Sequence, residues 1–158
     1  MSEDPGLRRL AAIMSIDIAG FSAISEADEG EAAGLVQRLR ALLDGLALQE
    51  GGRIFNTAGD GFMLEFCSAA GAVNAAAALR ASDEGARVRV GLHMGDVLAT
   101  AGGDLLGHGV NVAARLQQLA PQGAVMVSVD VQRAVRGKLA RRLHPFGEVQ
   151  LDKMSESI

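Results

Sequence analysis

Three patterns in this 158-residue chain point to a mixed α/β (α+β) domain. Short apolar runs end in glycine turns, as buried strands do. Leucines recur at helical spacing from Gly30 to Gln49, and a later segment from Arg87 to Leu92 alternates Arg with Val.

Taken in order, Ala11 to Ile18 reads as a buried strand. Phe21 to Glu26 can make one helical turn. Leu35, Leu39, Leu42, Leu43 and Leu46 put an apolar stripe on the helix Gly30 to Gln49, and Gly51-Gly52 ends it. Arg53 to Thr57 and Phe62 to Phe66 form a hairpin around Ala58-Gly59-Asp60-Gly61, because Asp-Gly supplies the tight turn. Ser68 is suited to cap an Ala-rich helix reaching Ala81. Arg87 to Leu92 is a half-buried strand, and Asp96 to Thr100 continues as strand into the loop Ala101-Gly102-Gly103. Helix Val110 to Leu119 stops before Pro121. Ala124 to Ser128 is a strand, Asp130 to Arg136 a short helix, and Leu143 to Gln150 the last strand or pair. The β-α-β-β-α-β order, with an extra helix and strands, is the ferredoxin-like pattern. No repeat, linker or low-complexity segment interrupts it, so residues 1–158 read as one domain with residues 1–9 as an N-terminal extension.

A chain of this length can bury a substantial core, and a 49% hydrophobic content makes it globular. Trp and Tyr are absent, so that core is built from small aliphatics and Met. The net charge of −4 argues against nucleic acid as a partner. Arg133, Arg136, Lys138, Arg141 and Arg142 cluster locally and read as a solvated face. Cys67 is the one cysteine, which excludes an internal disulfide; it reads as a small packing residue. No run approaches the roughly 18 apolar residues that span a membrane. Met1 to Arg9 lacks a signal-peptide core, so a soluble cytoplasmic domain is expected.

Two carboxylates stand out against this background. Asp17 ends the first apolar run and enters Ile18-Ala19-Gly20-Phe21, and Asp60 lies between Gly59 and Gly61. A carboxylate beside a glycine that lets backbone approach a ligand suits a hard cation or phosphate. Asp60 has an equally simple reading as a hairpin turn residue. Asn111 and Arg115 are four apart, hence on one helical face. An amide beside a guanidinium fits ribose and polyphosphate, and it also fits an ordinary surface pair. His93 reads as a hydrogen-bonded core histidine and His108 as a solvated one; with His144 they lack metal-ligand spacing.

Four motifs in order carry a resemblance: Asp17-Ile18-Ala19-Gly20-Phe21-Ser22, Gly59-Asp60-Gly61, Gly91-Leu92-His93-Met94-Gly95-Asp96 and Gly107 to Leu116. From Arg9 to Lys153 the chain resembles the class III nucleotidyl cyclases, the adenylate and guanylate cyclase catalytic domain. Val135-Arg136-Gly137-Lys138-Leu139 and Phe146-Gly147-Glu148 look most like bacterial members. The resemblance implies two Mg²⁺ (or Mn²⁺) ions held by Asp17, Asp60 and the Ile18 carbonyl. It implies backbone amides of Ala19, Gly20 and Phe21 on the phosphates, Asn111 on the ribose, and Arg115 on the transition state. Asn56 and Asp104 match the two purine readers. It also implies a head-to-tail homodimer in which each site draws on both chains. The implied reaction converts ATP, favoured over GTP, to 3′,5′-cyclic AMP and pyrophosphate.

Two positions depart from the pattern. Asn56 stands where adenylate cyclases usually carry Lys, and Leu151-Asp152-Lys153 replaces a Leu-Lys pair, so only a shifted register brings Lys153 to the triphosphate. The chain also ends at Ile158, before the family's usual last strand. These departures keep open a cyclase-homology module that binds nucleotide or a partner chain without turnover.

Overall fold

The computed structural model describes residues 7–135, with Gly137 and Leu143. β1 (Leu7–Ile18) runs to a left-handed glycine, Gly20, with φ +66°, and then α1 (Phe21–Ala27) begins. α2 (Glu29–Glu50) starts at Asp28, whose side chain accepts from the Glu31 N–H, and stops at Gly51 with φ +71°. β2 (Gly52–Ala58) and β3 (Gly61–Phe66) form the hairpin, with Gly59 and Asp60 as its turn. α3 (Ala69–Ala81) is capped by Ser68, which accepts from Gly71. A 3-10 turn (Glu84–Arg87) leads into β4 (Val88–Ala99). β5 (Leu105–Leu106), α4 (His108–Leu119), β6 (Val125–Val127) and α5 (Val129–Ala134) complete the described fold.

The sheet order is β2-β3-β1-β4-β5, with β6 also on β4. The first four strands interleave two βαβ units, each leaving room for a strand of the other, which is the ferredoxin-like arrangement expected. β1 pairs antiparallel with β4 along its whole length, from Leu7 opposite Ala99 to Ile18 opposite Val88. On its other edge β4 has two short partners. β6 lies parallel to Val90–Leu92, and β5 lies antiparallel to Leu98 and Ala99.

Successive strand residues face opposite sides, and both sides of β1 are covered. Ala12, Met14, Ile16 and Ile18 join the main core with α2 and α3. Ala11 and Ile13 join a second cluster with Val97, Leu105 and Ala113 of α4. Burial on both faces explains why the β1 sequence is an unbroken apolar run rather than an alternation.

Two expectations need correction, and one short strand is new. Leu7, Arg8 and Arg9, read as an extension, are part of β1, because β4 is long enough to pair with them. β5 is too short for any sequence pattern to mark. Cys67 is exposed: β3 ends at Phe66, whose ring takes the core position. The expected final strand or pair from Leu143 to Gln150, and Arg136, Lys138, Arg141, Arg142 and His144, lie outside the described residues apart from Leu143 itself. Among the described residues no helix is long and apolar enough to cross a membrane.

Candidate active site

The end of β1 carries the acidic group. Asp60, in the β2–β3 turn, reaches back so that its Oδ2 accepts from the Ile18 N–H at 2.9 Å. This bond holds Asp60 beside the end of β1, one residue from Asp17. Asp17 faces the α4 side and lies directly opposite Arg89 of β4. Arg89 donates from Nε to Oδ1 at 3.0 Å and from Nη2 to Oδ2 at 2.6 Å. The side chains are 24% and 32% exposed, so this bidentate pair is part-buried. Hydrogen bonding to Asp17 raises the Arg89 guanidinium above its ordinary value; burial opposes this, and the Asp17 and Asp60 charges add to it. Arg89 is the residue that sequence reasoning missed here. The signal was present in its odd-numbered place on an Arg-Val alternation, but its partner is 72 positions away.

The donor set suits a divalent cation of the Mg²⁺ kind. Two carboxylates and a backbone carbonyl offer only hard oxygens. Among the described residues no three or more His, Cys, Asp or Glu side chains are grouped so that they could hold a metal ion by themselves. A cation held by Asp17 and Asp60 would take its remaining ligands from phosphate and water, as Mg²⁺ commonly does.

In the next segment Ala19 donates its N–H to the Arg87 carbonyl at 2.8 Å, which anchors the loop to β4 and competes with the expected contact to phosphate. Gly20 and Phe21 follow as the entry to α1.

A second group lies on the α4 side of the sheet. β2 has an irregularity between Ile54 and Asn56, so that Ile54 opposes Leu64 and Asn56 opposes Met63. Without the extra residue Asn56 would share the face of Ile54 and the main core; the bulge re-aims it to the face of Met63. There its Nδ2 donates to Asp104 Oδ1 at 3.4 Å, and the Leu105 N–H donates to the same oxygen at 2.8 Å. The two residues matched to purine recognition thus meet across 48 positions of chain.

A charged frame supports this pair. Arg53 donates from Nη2 to the Gly103 carbonyl at 2.7 Å, fixing the loop just before Asp104. Glu65 pairs with both Arg9 and Arg53. Burial pushes the Glu65 carboxyl up, but the hydrogen bonds from Arg9 and Arg53 prevail and hold it below the usual carboxylate range. Arg53 and Glu65 also escaped the sequence reading, since an Arg and a Glu on a hairpin look like ordinary surface charge.

Asn111 and Arg115 both lie on α4, outside its buried set of Gly109, Val112, Ala113, Leu116 and Gln117. Arg115 donates to Gln118 Oε1 at 3.3 Å. Among the described residues no hydrogen bond or ion pair joins Asp17 or Asp60 to Asn56, Asp104, Asn111 or Arg115. Lys153 lies outside the described residues. His93 is buried, with Nδ1 2.8 Å from Ser128 Oγ, so its role is in packing as expected.

Residues 8–155 match the profile of the adenylate and guanylate cyclase catalytic domain. The chain belongs to that family. A Rhizobium meliloti protein, provisionally named adenylate cyclase 3, is 38% identical over 149 residues, which cover 87% of this chain. The chain spans only 25% of that protein's length. A Silicibacter pomeroyi structure described as an adenylate/guanylate cyclase/hydrolase superposes with a TM-score of 0.78 at 31% identity, covering 96% of this chain and 94% of that one. An adenylate cyclase from Trypanosoma brucei, solved in its monomeric state, gives a TM-score of 0.81 at 19% identity over 94% of this chain and 86% of that one, a likeness of fold. The mixed α/β cyclase fold is thus common to this domain and its neighbours.

Proposed function

We propose that this cyclase domain converts ATP to 3′,5′-cyclic AMP and pyrophosphate, using two Mg²⁺ or Mn²⁺ ions at a head-to-tail dimer interface. The observation that carries the proposal is the Asp60–Ile18 hydrogen bond, which holds the second carboxylate beside the first. Bound divalent cations there would lower the pKa of the ribose 3′-hydroxyl and offset triphosphate charge. The 3′-hydroxyl gives its proton to solvent, its oxygen attacks the α-phosphorus, the bond to the α–β bridging oxygen breaks, and the electron pair leaves with pyrophosphate. Asp17, Asp60 and the Ile18 carbonyl supply cation ligands. Asn111 orients the ribose, and Arg115 spreads over the charge that develops at the α-phosphate. Asp104 accepts from adenine N6, and Asn56 donates to adenine N1. Gly20 and Phe21 line the phosphate side.

The separation of the acidic group from the α4 group supports assembly from two copies, each completing the other's site. The names of the relatives support ATP. One observation favours GTP as a second reading: with Nδ2 turned to Asp104, Asn56 presents its oxygen, an acceptor for guanine N1–H.

Assay of purified protein with ATP and GTP, under Mg²⁺ and Mn²⁺ separately, tests the proposal. Cyclic AMP formation lost in Asp17→Ala, Asp60→Ala supports it. Nucleotide binding without turnover of either triphosphate would make the domain a non-catalytic module.

A further inference from the structure

One buried polar contact joins the two groups within a single chain. Ser15 lies two residues before Asp17, on the same face of β1, and Gln117 lies two residues after Arg115 on α4. They are 3% and 8% exposed. Ser15 donates from Oγ to Gln117 Oε1 at 3.2 Å. Gln117 Nε2 is buried with no partner among the described residues. Gly91, opposite Ser15 on β4, lets the helix come this close. A Cβ there would collide with the Ala113 carbonyl and the backbone nitrogen of Gln117.

A buried amide with an unmade hydrogen bond costs stability, whereas an apolar side chain of similar size would not. Ordinary core packing therefore does not explain Gln117. What the contact supplies is direction. Apolar surfaces let a helix slide or rotate by small steps, but a hydrogen bond fixes one register. We infer that Ser15 and Gln117 are positioning residues that set the rotation of α4, and with it the placement of Asn111 and Arg115, against the strand bearing Asp17. The inference rests on the reading that α4 presents those two side chains to substrate. If each site takes its carboxylates from one chain and its arginine from the other, this contact ties one half of each site to the opposite half of the next.

The test compares Ser15→Ala, Gln117→Leu, the double variant and Gln117→Glu in the full chain. Turnover, thermal unfolding and hydrogen exchange are measured for each. Each of Ser15→Ala and Gln117→Leu should lower kcat about tenfold, the range expected for a small misplacement. KM for nucleotide should stay within about twofold. The double variant should be no worse than the poorer single one, since both remove one contact. The double variant, which leaves no polar side chain of this pair in the core, should melt at or above the wild-type temperature, so turnover and stability part company. Gln117→Glu, which keeps the accepting oxygen, should retain kcat. Unchanged kcat in both single variants, or losses that simply track melting temperature, would overturn the inference. If the wild-type chain cyclises neither nucleotide, the functional reading fails, and exchange still decides this one. Faster exchange in Ser15→Ala confined to Asn111 to Gln117 supports it; unchanged exchange there overturns it.

Discussion

Arg89 holds both carboxylate oxygens of Asp17, Nε on Oδ1 at 3.0 Å and Nη2 on Oδ2 at 2.6 Å. A guanidinium in this position competes with any cation for the same oxygens. It also offsets the repulsion between Asp17 and Asp60 when no cation is bound.

Arg89→Met should therefore make the cation-free domain less stable, by about 1–2 kcal/mol for a part-buried charged contact. Mn²⁺ should raise the melting temperature of Arg89→Met more than that of wild type, because cation binding then restores the missing counter-charge. Calorimetric melting with and without Mn²⁺ checks this. Equal Mn²⁺ shifts in the two proteins would show that Arg89 and the cation do not share Asp17.

Asp17→Ala and Arg115→Ala should each lose at least about 10²-fold in kcat. Mixed together, they should recover activity. A heterodimer of the two has one site with both defects and one with neither. Titrating one inactive variant against the other, with cyclic nucleotide as readout, measures the recovery. A mixture as inactive as its parts argues for sites complete within one chain.

Asn56→Lys should shift preference toward ATP by about tenfold in the ratio of kcat/KM values. The longer ammonium can bridge Asp104 and donate to adenine N1, where the Asn56 amide is already engaged with Asp104. Competition between ATP and GTP in one reaction gives the ratio. An unchanged ratio would remove Asn56 from purine selection.

Glu65 supplies a pH dependence. Its folded carboxyl lies below the usual range, so the ionised form favours the folded state. That stabilisation is complete above the unfolded value of about 4.3 and is lost as pH falls through the lower folded value. Glu65→Gln should thus be less stable than wild type at neutral pH, with the gap closing in acid. Urea unfolding at a series of pH values checks the sign. A gap that persists below the folded value would point to side-chain packing as its origin.

Local chemistry made much of this fold legible. Leucine spacing marked α2, Ser68 marked the start of α3, and Asp-Gly marked the hairpin turn, because each acts within a few residues. The paired carboxylates were visible for the same reason, since glycine turns expose them in the sequence. What escaped depends on distant partners. Arg89 acquires its meaning from Asp17 across the sheet, and Arg53 from the Gly103 carbonyl. The bulge before Asn56 reverses the face that simple alternation assigns it. The Arg87 carbonyl that engages the Ala19 amide is likewise distant in the sequence.

The two short partners on the outer edge of β4 have a mechanical consequence. Between the β6 contact at Leu92 and the β5 contact at Leu98, no described strand pairs with that edge, while β1 runs unbroken along the other. Resistance to bending across this gap comes from one ladder instead of two. Strand pairing alone is therefore weakest at residues 93–97, between the half of the sheet that carries Arg89 and Asp17 and the end beside Asp104. What stiffens the sheet there is α4, whose Gly109 lies against Gly95 and whose Ala113 packs in one cluster with Val97.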